Sequence, residues 1–271
     1  MRRLVNRRPD RFGILSLGLL PFVLVVAAYL AASGARLRAN PEDKLLPSLE
    51  TYAGAIHRLA VEEDARTGAV LLWADTWASL RRLGLALALS AACGLAFGLA
   101  LGVVPYARAA LSPFVAAFSM VPPLAVLPIL FIVFGLGEAA KVALMVIGVA
   151  PVLVRDLALR AQELPSEQLV KAQTLGASTW QLVVRVVLPQ LWPRLVDALR
   201  LTLGSAWLFL IAAEAIASTE GLGYRIFLVR RYMSMEVILP YVAWITLLAF
   251  AMDAGLRRFR ARAFAWAESG G

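Results

Sequence analysis

Cysteine and histidine are nearly missing from this 271-residue sequence: Cys93 and His57 stand alone. A lone cysteine in an apolar stretch supports neither a disulfide framework nor a metal cluster, and His57, in a polar segment, reads as a solvated surface residue. Phosphate-loop chemistry is missing as well. No Gly-x-x-x-x-Gly-Lys-[Ser/Thr] occurs, and GLGEAAK, from Gly135 to Lys141, lacks both the second glycine before the lysine and the hydroxyl after it. There is no His-Glu-x-x-His, no Gly-x-Ser-x-Gly and no cysteine pair. These absences exclude ATP binding by a Walker loop and leave no catalytic residue, metal or cofactor to expect in the chain. Charge is sparse too, at 17% of residues, against about 25% in an ordinary soluble domain.

What is abundant is apolar sequence. Hydrophobic residues make up 61% of the chain and the mean hydropathy is +0.75. Repeated long apolar runs point to an all-α integral membrane protein rather than a barrel. The net charge of +9 and pI near 10.4 raise nucleic acid as a partner. The arginines, however, cluster at the ends of apolar runs, where they serve lipid headgroups and topology, so no nucleic acid is expected.

Taken in order, the chain opens on MRRLVNRRPDR, five arginines against one aspartate. An apolar run from Phe12 to Ala35 follows, long enough to cross a bilayer and too long for a typical signal-peptide core. Residues 1–11 read as a cytoplasmic segment and 12–35 as an uncleaved first span. Within the region 36–82, the stretch from Arg36 to about Asp75 is polar and acidic: Glu42, Asp43, Glu50, Glu62, Glu63, Asp64 and Asp75 outweigh Arg36, Arg38, Lys44, Arg58 and Arg66. It reads as an external loop, with an interfacial helix at Leu71 to Trp77 carrying Trp73 and Trp77. Arg81 and Arg82 then fall at the outer end of the next span, against the positive-inside tendency.

Five further spans are expected over 83–258. The second, Leu83 to Ala107, carries Gly94, Gly98 and Gly102 on one face, a ridge that lets another helix approach closely. The third, Ala109 to Gly137, is interrupted by Pro122-Pro123 and Pro128, breaks that survive in a membrane only where freed carbonyls are satisfied. A simple kink and a bend facing a translocation path both fit. The fourth, Ala139 to Leu157, is short for a lipid-facing helix and spans if Lys141 and Arg155 snorkel to opposite interfaces. The fifth runs from Pro193 to Ser218, with Asp197 and Arg200 spaced for an ion pair and Glu214 deep inside. Glu214 reads equally as a buried structural hydrogen-bonding group or as a path-lining one; Pro122, Pro123, Glu214 and Ser218 are the candidate path residues. The sixth covers Val237 to Leu256 and ends in RRFRAR, opening a cytoplasmic tail at 259–271. Six crossings put both termini in the cytoplasm.

Between the fourth and fifth spans lies the longest polar interval of the second half, residues 163–193. It reads as two short helices. The first is capped by Ser166, with Glu167 in its first turn, and stops at Gly176. The second opens on Ser178 with Gln181 completing a capping box, and ends at Pro189. A basic excess places the interval on the cytoplasmic side.

This helix–glycine–helix spacing resembles the coupling loop of binding-protein-dependent ABC importer permeases, whose pattern is Glu-Ala-Ala, three residues, Gly, nine residues, Ile-x-Leu-Pro. Here Gly176, Val186, Leu188 and Pro189 take the later positions. The opening triplet falls on Val170, Lys171 and Ala172, so only its last alanine is kept. The tracts LGASTWQLVVRVVLP, SMVPPLAVLPILFIVFGLGE and AEAIASTEGLGY are similar to the nitrate/sulfonate/taurine branch. The resemblance implies a six-helix permease bundle in a bacterial inner membrane, paired with a second permease copy. It further implies two cytoplasmic ABC ATPase subunits that bind ATP and Mg, and an extracytoplasmic substrate-binding protein. On it, Glu167, Lys171, Ala172, Thr174, Leu175, Gly176, Ala177, Ser178, Leu188 and Pro189 form the ATPase-coupling surface. The expected cargo is a small polar solute: a sulfonate such as taurine, nitrate, or a urea- or guanidine-like molecule. Arg225, Arg230 and Arg231 on the outer side favour an anion or anchor to headgroups. A secondary transporter would show inverted repeats, and none is seen; a non-transporting membrane scaffold is the third class.

Overall fold

A computed structural model of the chain describes residues 10–41, 43–65 and 67–267. The arginines at positions 2, 3, 7 and 8, together with Glu42, Arg66 and residues 268–271, lie outside it. Every regular element among the described residues is helical.

Helix α1 (Arg11–Ala39) is capped by Asp10, whose carboxylate accepts from the Gly13 amide at 2.9 Å. Its apolar window buries nothing against the rest of the chain. Among the described residues it is tied toward its C-terminal end, where Tyr29 Oη donates to the Pro47 carbonyl at 2.7 Å, Ser33 Oγ donates to the Leu46 carbonyl at 2.9 Å, and Arg36 pairs with Asp43. The external loop holds a helix beyond those expected, α2 (Leu49–Val61), N-capped by Ser48. Its buried Ala55 and Leu59 sit one helical turn apart. Trp73 is not a free interfacial anchor: its Nε1 donates to Ala60 O at 3.0 Å and its ring packs edge-on against Trp244.

Helix α3 (Leu71–Val103) joins the expected interfacial helix and second span into one rod of 33 residues. Nothing between Trp77 and Leu83 breaks a helix, and Arg81 and Arg82 are good helix formers. The expected third span is two helices, α4 (Pro105–Phe118) and α5 (Pro123–Phe134), bent by 94° at Ser119–Pro122. Pro122-Pro123 makes the break, because the second proline disfavours helical geometry at the first. Pro128 stays inside α5.

Helix α6 (Glu138–Gln162) is the most buried of the candidate spans, with 56% of its apolar window covered. The expected snorkelling is corrected for Lys141, while Arg155 is exposed. Lys141 is buried and bonded to Glu138, while Arg155 donates to Ser119 Oγ at 2.9 Å in the bend between α4 and α5. The glycine ridge of α3 meets α6 along its length. A Cβ on Gly94, Gly98 or Gly102 would come within 2.9, 2.8 and 2.3 Å of Leu153, Leu157 and Ala161 respectively. These pairs advance together along both helices, as do Arg82 and Glu138 at the other end, so α3 and α6 run parallel.

After α7 (Ser166–Thr174) and α8 (Thr179–Leu182) comes a π-helical stretch, Val183–Val187, leading without interruption into α9 (Leu188–Ala217). The expected stop at Pro189 is overturned. Pro189 has no amide to give the preceding turn, and the wider π turn at Val183–Val187 makes room for its ring, so the helix runs through it. Short α10 (Leu222–Arg230), α11 (Met235–Ala263) and a 3-10 turn, Ala265–Ala267, complete the fold. The main core lies where α3, α5, α6, α9, α10 and α11 meet, around Leu144, Met145, Leu210 and Leu222.

Candidate coupling surface and buried charge network

The two short helices are joined by Gly176-Ala177-Ser178 with each backbone amide bonded. Gly176 sits at φ +82°, in the left-handed region that a side chain resists. Its amide donates to Gln173 O at 2.9 Å and that of Ala177 to Ala172 O at 3.0 Å, the paired closure of a glycine-terminated helix. Ser178 then caps α8 reciprocally: its Oγ accepts from Gln181 N at 3.3 Å and its amide donates to Gln181 Oε1 at 2.9 Å. At the other end the cap differs from expectation. Pro165 occupies the N-cap position and Ser166 is the first helical residue, without a side-chain capping bond.

This loop has one dry side and one bare side. Leu164, Leu169 and Ala172 pack onto the small core of Leu182, Val187 and Leu191. The opposite side leaves Val170 54%, Trp180 75% and Leu175 81% exposed. Glu167, Lys171, Thr174 and Ser178 are exposed around them, Ala177 is half-buried, and Leu188 and Pro189 lie half-buried on the following helix. Exposed apolar side chains ringed by polar ones are the chemistry of a protein contact.

A second constellation lies at the other end of the bundle, and most of it has no counterpart in the sequence expectations. Arg82 is 2% exposed. Its guanidinium spends all five donors: Nε and Nη2 on Glu138 at 2.6 and 2.8 Å, Nη1 on Glu214 Oε1 at 2.8 Å and Glu220 O at 3.0 Å, and Nη2 again on Glu220 Oε1 at 3.2 Å. The misfit of this arginine with the positive-inside tendency is thereby resolved, since it is a buried partner and not a headgroup anchor. Lys141 Nζ joins through Glu138 Oε1 at 2.8 Å and Ser218 Oγ at 3.2 Å.

The same cluster holds the start of α10. Three successive amides, Gly221, Leu222 and Gly223, donate to Asp75 Oδ1, Ser79 Oγ and Glu214 Oε2 at 2.9, 2.9 and 2.8 Å. The orphan donors of a helix N-terminus are thus satisfied by buried acceptors, two of them carboxylates favoured by the helix dipole. Only glycine fits this approach: a Cβ on Gly221 would lie 2.5 Å from the Glu214 carboxyl carbon, and Gly221 has φ +120°. Asp75 also accepts from Arg225 Nε at 2.8 Å and Tyr241 Oη at 3.0 Å, so Arg225 is engaged inward while Arg230 and Arg231 remain exposed.

Glu214 itself has no exposed surface. Its four hydrogen bonds, from Ser79, Arg82 and Gly223, describe a structural hydrogen-bonding group in the bundle interior. Ser218 is half-buried beside Lys141, and Pro122 and Pro123 lie at the bend, Pro122 exposed. The four candidate path residues fall in two places, Glu214 and Ser218 in the buried network and the prolines at the bend.

Against families of known proteins, residues 92–264 match the model described as "Binding-protein-dependent transport system inner membrane component". The chain belongs to that family. Among curated relatives of this permease, the taurine transport system permease protein TauC of Escherichia coli (strain K12) is 37% identical over 72% of this chain and 71% of its own length. The putative aliphatic sulfonates transport permease protein SsuC of Bacillus subtilis (strain 168) is 28% identical over 70% of this chain and 69% of its own. The nitrate import permease protein NrtB of Leptolyngbya laminosa is 25% identical over 86% and 81%. A chain of the inward-facing MetNI methionine ABC transporter shares the permease fold, with a TM-score of 0.57 at 23% identity over 69% of this chain and 96% of that one. The expected resemblance to transport permeases of the taurine, sulfonate and nitrate kind therefore holds.

Among the signals that could have revealed the network, Asp75, Ser79 and Arg82 stand at helical spacing on one face, and Glu220-Gly-Leu-Gly offers a bare backbone. Their partners lie 56 to 166 residues away, which no local pattern encodes.

Proposed function

We propose that this permease forms the translocation path of an importer for a small sulfonate such as taurine, nitrate or a chemically similar polar solute. In this reading two copies sit on two ABC ATPase subunits, which bind ATP and Mg, and an external binding protein delivers the solute. The observation that carries the coupling role is the bare side of the Ser166–Leu182 helix pair, where Val170, Leu175 and Trp180 stand exposed on a backbone whose turn is fully hydrogen-bonded. Val170 and Lys171 replace the Glu-Ala of the family pattern, so the contact is apolar packing with Lys171 as its charged member.

Six crossings with both termini in the cytoplasm are supported by the direction of α3 and α6. In this reading α4 and α5 together make one return crossing, which the parallel course of α3 and α6 supports. The basic sequences at both ends of the chain agree with that count. The taurine relative's identity favours a sulfonate. The test is transport by the assembled system with its binding protein: uptake of labelled taurine that requires ATP hydrolysis and is lost when Leu175 and Trp180 are both replaced by aspartate. Uptake unaffected by that double substitution would remove the coupling role from this surface.

A further inference from the structure

The end of α6, the start of the coupling loop, α9 and α11 border a polar cavity of about 490 Å3, with Arg160 and its partner Glu163, Gln168, Gln190, Arg194, Arg260 and Trp266 in its walls. Two of the three arginines already have carboxylates. Arg160 pairs with Asp156 at 3.7 Å and Glu163 at 3.2 Å, and Arg260 with Asp197 at 2.9 Å. Arg194 has no carboxylate in salt-bridge range among the described residues, and it is exposed. Gln190 spends its amide nitrogen on Gln168 Oε1 at 3.1 Å and Val186 O at 2.9 Å, and among the described residues the Gln168 NH2 has no protein acceptor. The cavity therefore presents one unmatched guanidinium, a second on the facing helix and a free amide donor. That donor set suits a tetrahedral oxyanion.

Depth points to the source of such an anion. The uncharged stretch of α11 ends at Asp253 and that of α9 begins after Arg200. Arg260 lies about 10 Å past Asp253 and Arg194 about 9 Å past Arg200, at 1.5 Å per residue. Both fall near the headgroup layer and its cytoplasmic edge. Trp266, stacked edge-on with Phe264 and half exposed, supplies the amphipathic aromatic ring typical of that layer.

We infer that this cavity binds a phosphate group on the cytoplasmic side, held by Arg194 and Arg260 with the Gln168 amide, from an anionic phospholipid headgroup or from a soluble phosphate ester. Because Gln168 belongs to α7, occupancy ties the coupling loop to α11. The binding claim rests on the cavity alone. Its consequence for ATP hydrolysis rests on the coupling role proposed above.

The assembled transporter carrying the full chain is reconstituted in phosphatidylcholine nanodiscs with or without phosphatidylglycerol, and bound lipid is counted by native mass spectrometry. Arg194→Gln is expected to lower phosphatidylglycerol retention about fivefold, the worth of one cation near an anionic headgroup. Arg258→Gln, at an exposed arginine that does not line the cavity, is expected to leave retention unchanged. Glycerol 3-phosphate added to the phosphatidylglycerol-containing discs separates the sources: competition with the lipid, absent in Arg194→Gln, assigns the site to soluble phosphate esters, and no competition assigns it to the headgroup. Equal loss in Arg194→Gln and Arg258→Gln would mean that general surface charge holds the lipid, and would overturn the site. So would unchanged lipid retention in Arg194→Gln accompanied by release of the ATPase, which would make the cavity a protein contact. If the lipid binds through Arg194 but ATP hydrolysis ignores it, the cavity stands and the coupling reading is what fails.

Discussion

Arg82 illustrates how much one buried side chain can organise. Lysine offers three donors from one point, against five in a planar fork, so Arg82→Lys cannot reach Glu138, Glu214 and Glu220 together. Arg82→Leu leaves the Glu214 carboxylate buried without its cation and should cost about 3–5 kcal/mol, read as a large drop in the thermal unfolding midpoint of the detergent-solubilised protein. Its neighbour Arg81 is the control. Arg81 is more than half exposed and makes one contact at 3.7 Å, so Arg81→Gln should shift stability by no more than about 0.5 kcal/mol. Gly176 works through backbone rather than contacts. No atom crowds a Cβ there, but φ +82° does. Gly176→Val should strain the turn by about 1–2 kcal/mol and disconnect ATP hydrolysis from transport while membrane insertion stays normal. Gly176→Asn, which tolerates that conformation, should retain most coupling.

For whole helices, closeness of approach decides. Gly98→Leu drives a side chain into Leu157 at the α3–α6 seam, and overpacking of this kind costs about 1–3 kcal/mol. Gly84, on the same helix, would have nothing within 4 Å of an added Cβ, so Gly84→Ala should be neutral or stabilising by up to about 1 kcal/mol. Comparative unfolding of the two variants checks the seam. The tether of α1 carries a pH dependence. The Arg36 guanidinium holds the Asp43 carboxyl below its ordinary value, helped by the Leu45 amide. A lowered folded value means the tether's contribution is complete above about pH 4 and fades as pH falls through that lowered value. Hydrogen exchange over 43–48 should accordingly stay slow at about pH 4 in the native chain and be fast in Asp43→Asn.

Across the molecule, an α4–α5 pair that crosses the membrane and one that enters and leaves on the same side make opposite forecasts. In a Cys93→Ala background, Glu63→Cys should react with an impermeant maleimide on intact cells and Lys171→Cys only after permeabilisation. Labelling of both from outside would mean that α4 and α5 enter and leave on one side. How much of the fold and its sites is legible in the sequence follows from distance along the chain. The coupling turn is readable because its glycine, serine and glutamine act within a few residues, and so is the ridge of Gly94, Gly98 and Gly102. The run-on at Pro189 is not, because proline reads as a stop unless a π turn upstream makes room. The pairing of Arg82 with Glu138, Glu214 and Glu220 joins segments brought together only by folding, and its local trace is a charge on the wrong side.

The unbroken course from Thr179 to Ala217 has a mechanical corollary. Trp180, bare at one tip, and Glu214, locked at the other, belong to a single shaft, about 50 Å apart at 1.5 Å per residue. A shove at the tryptophan tip must either swing the far tip, dragging the Asp75–Ser79–Glu214 grip on α10 with it, or be absorbed in the one compliant joint, Val183–Val187. Stiffening that joint to an ordinary α turn would lengthen the throw of the lever; loosening it would let the motor idle.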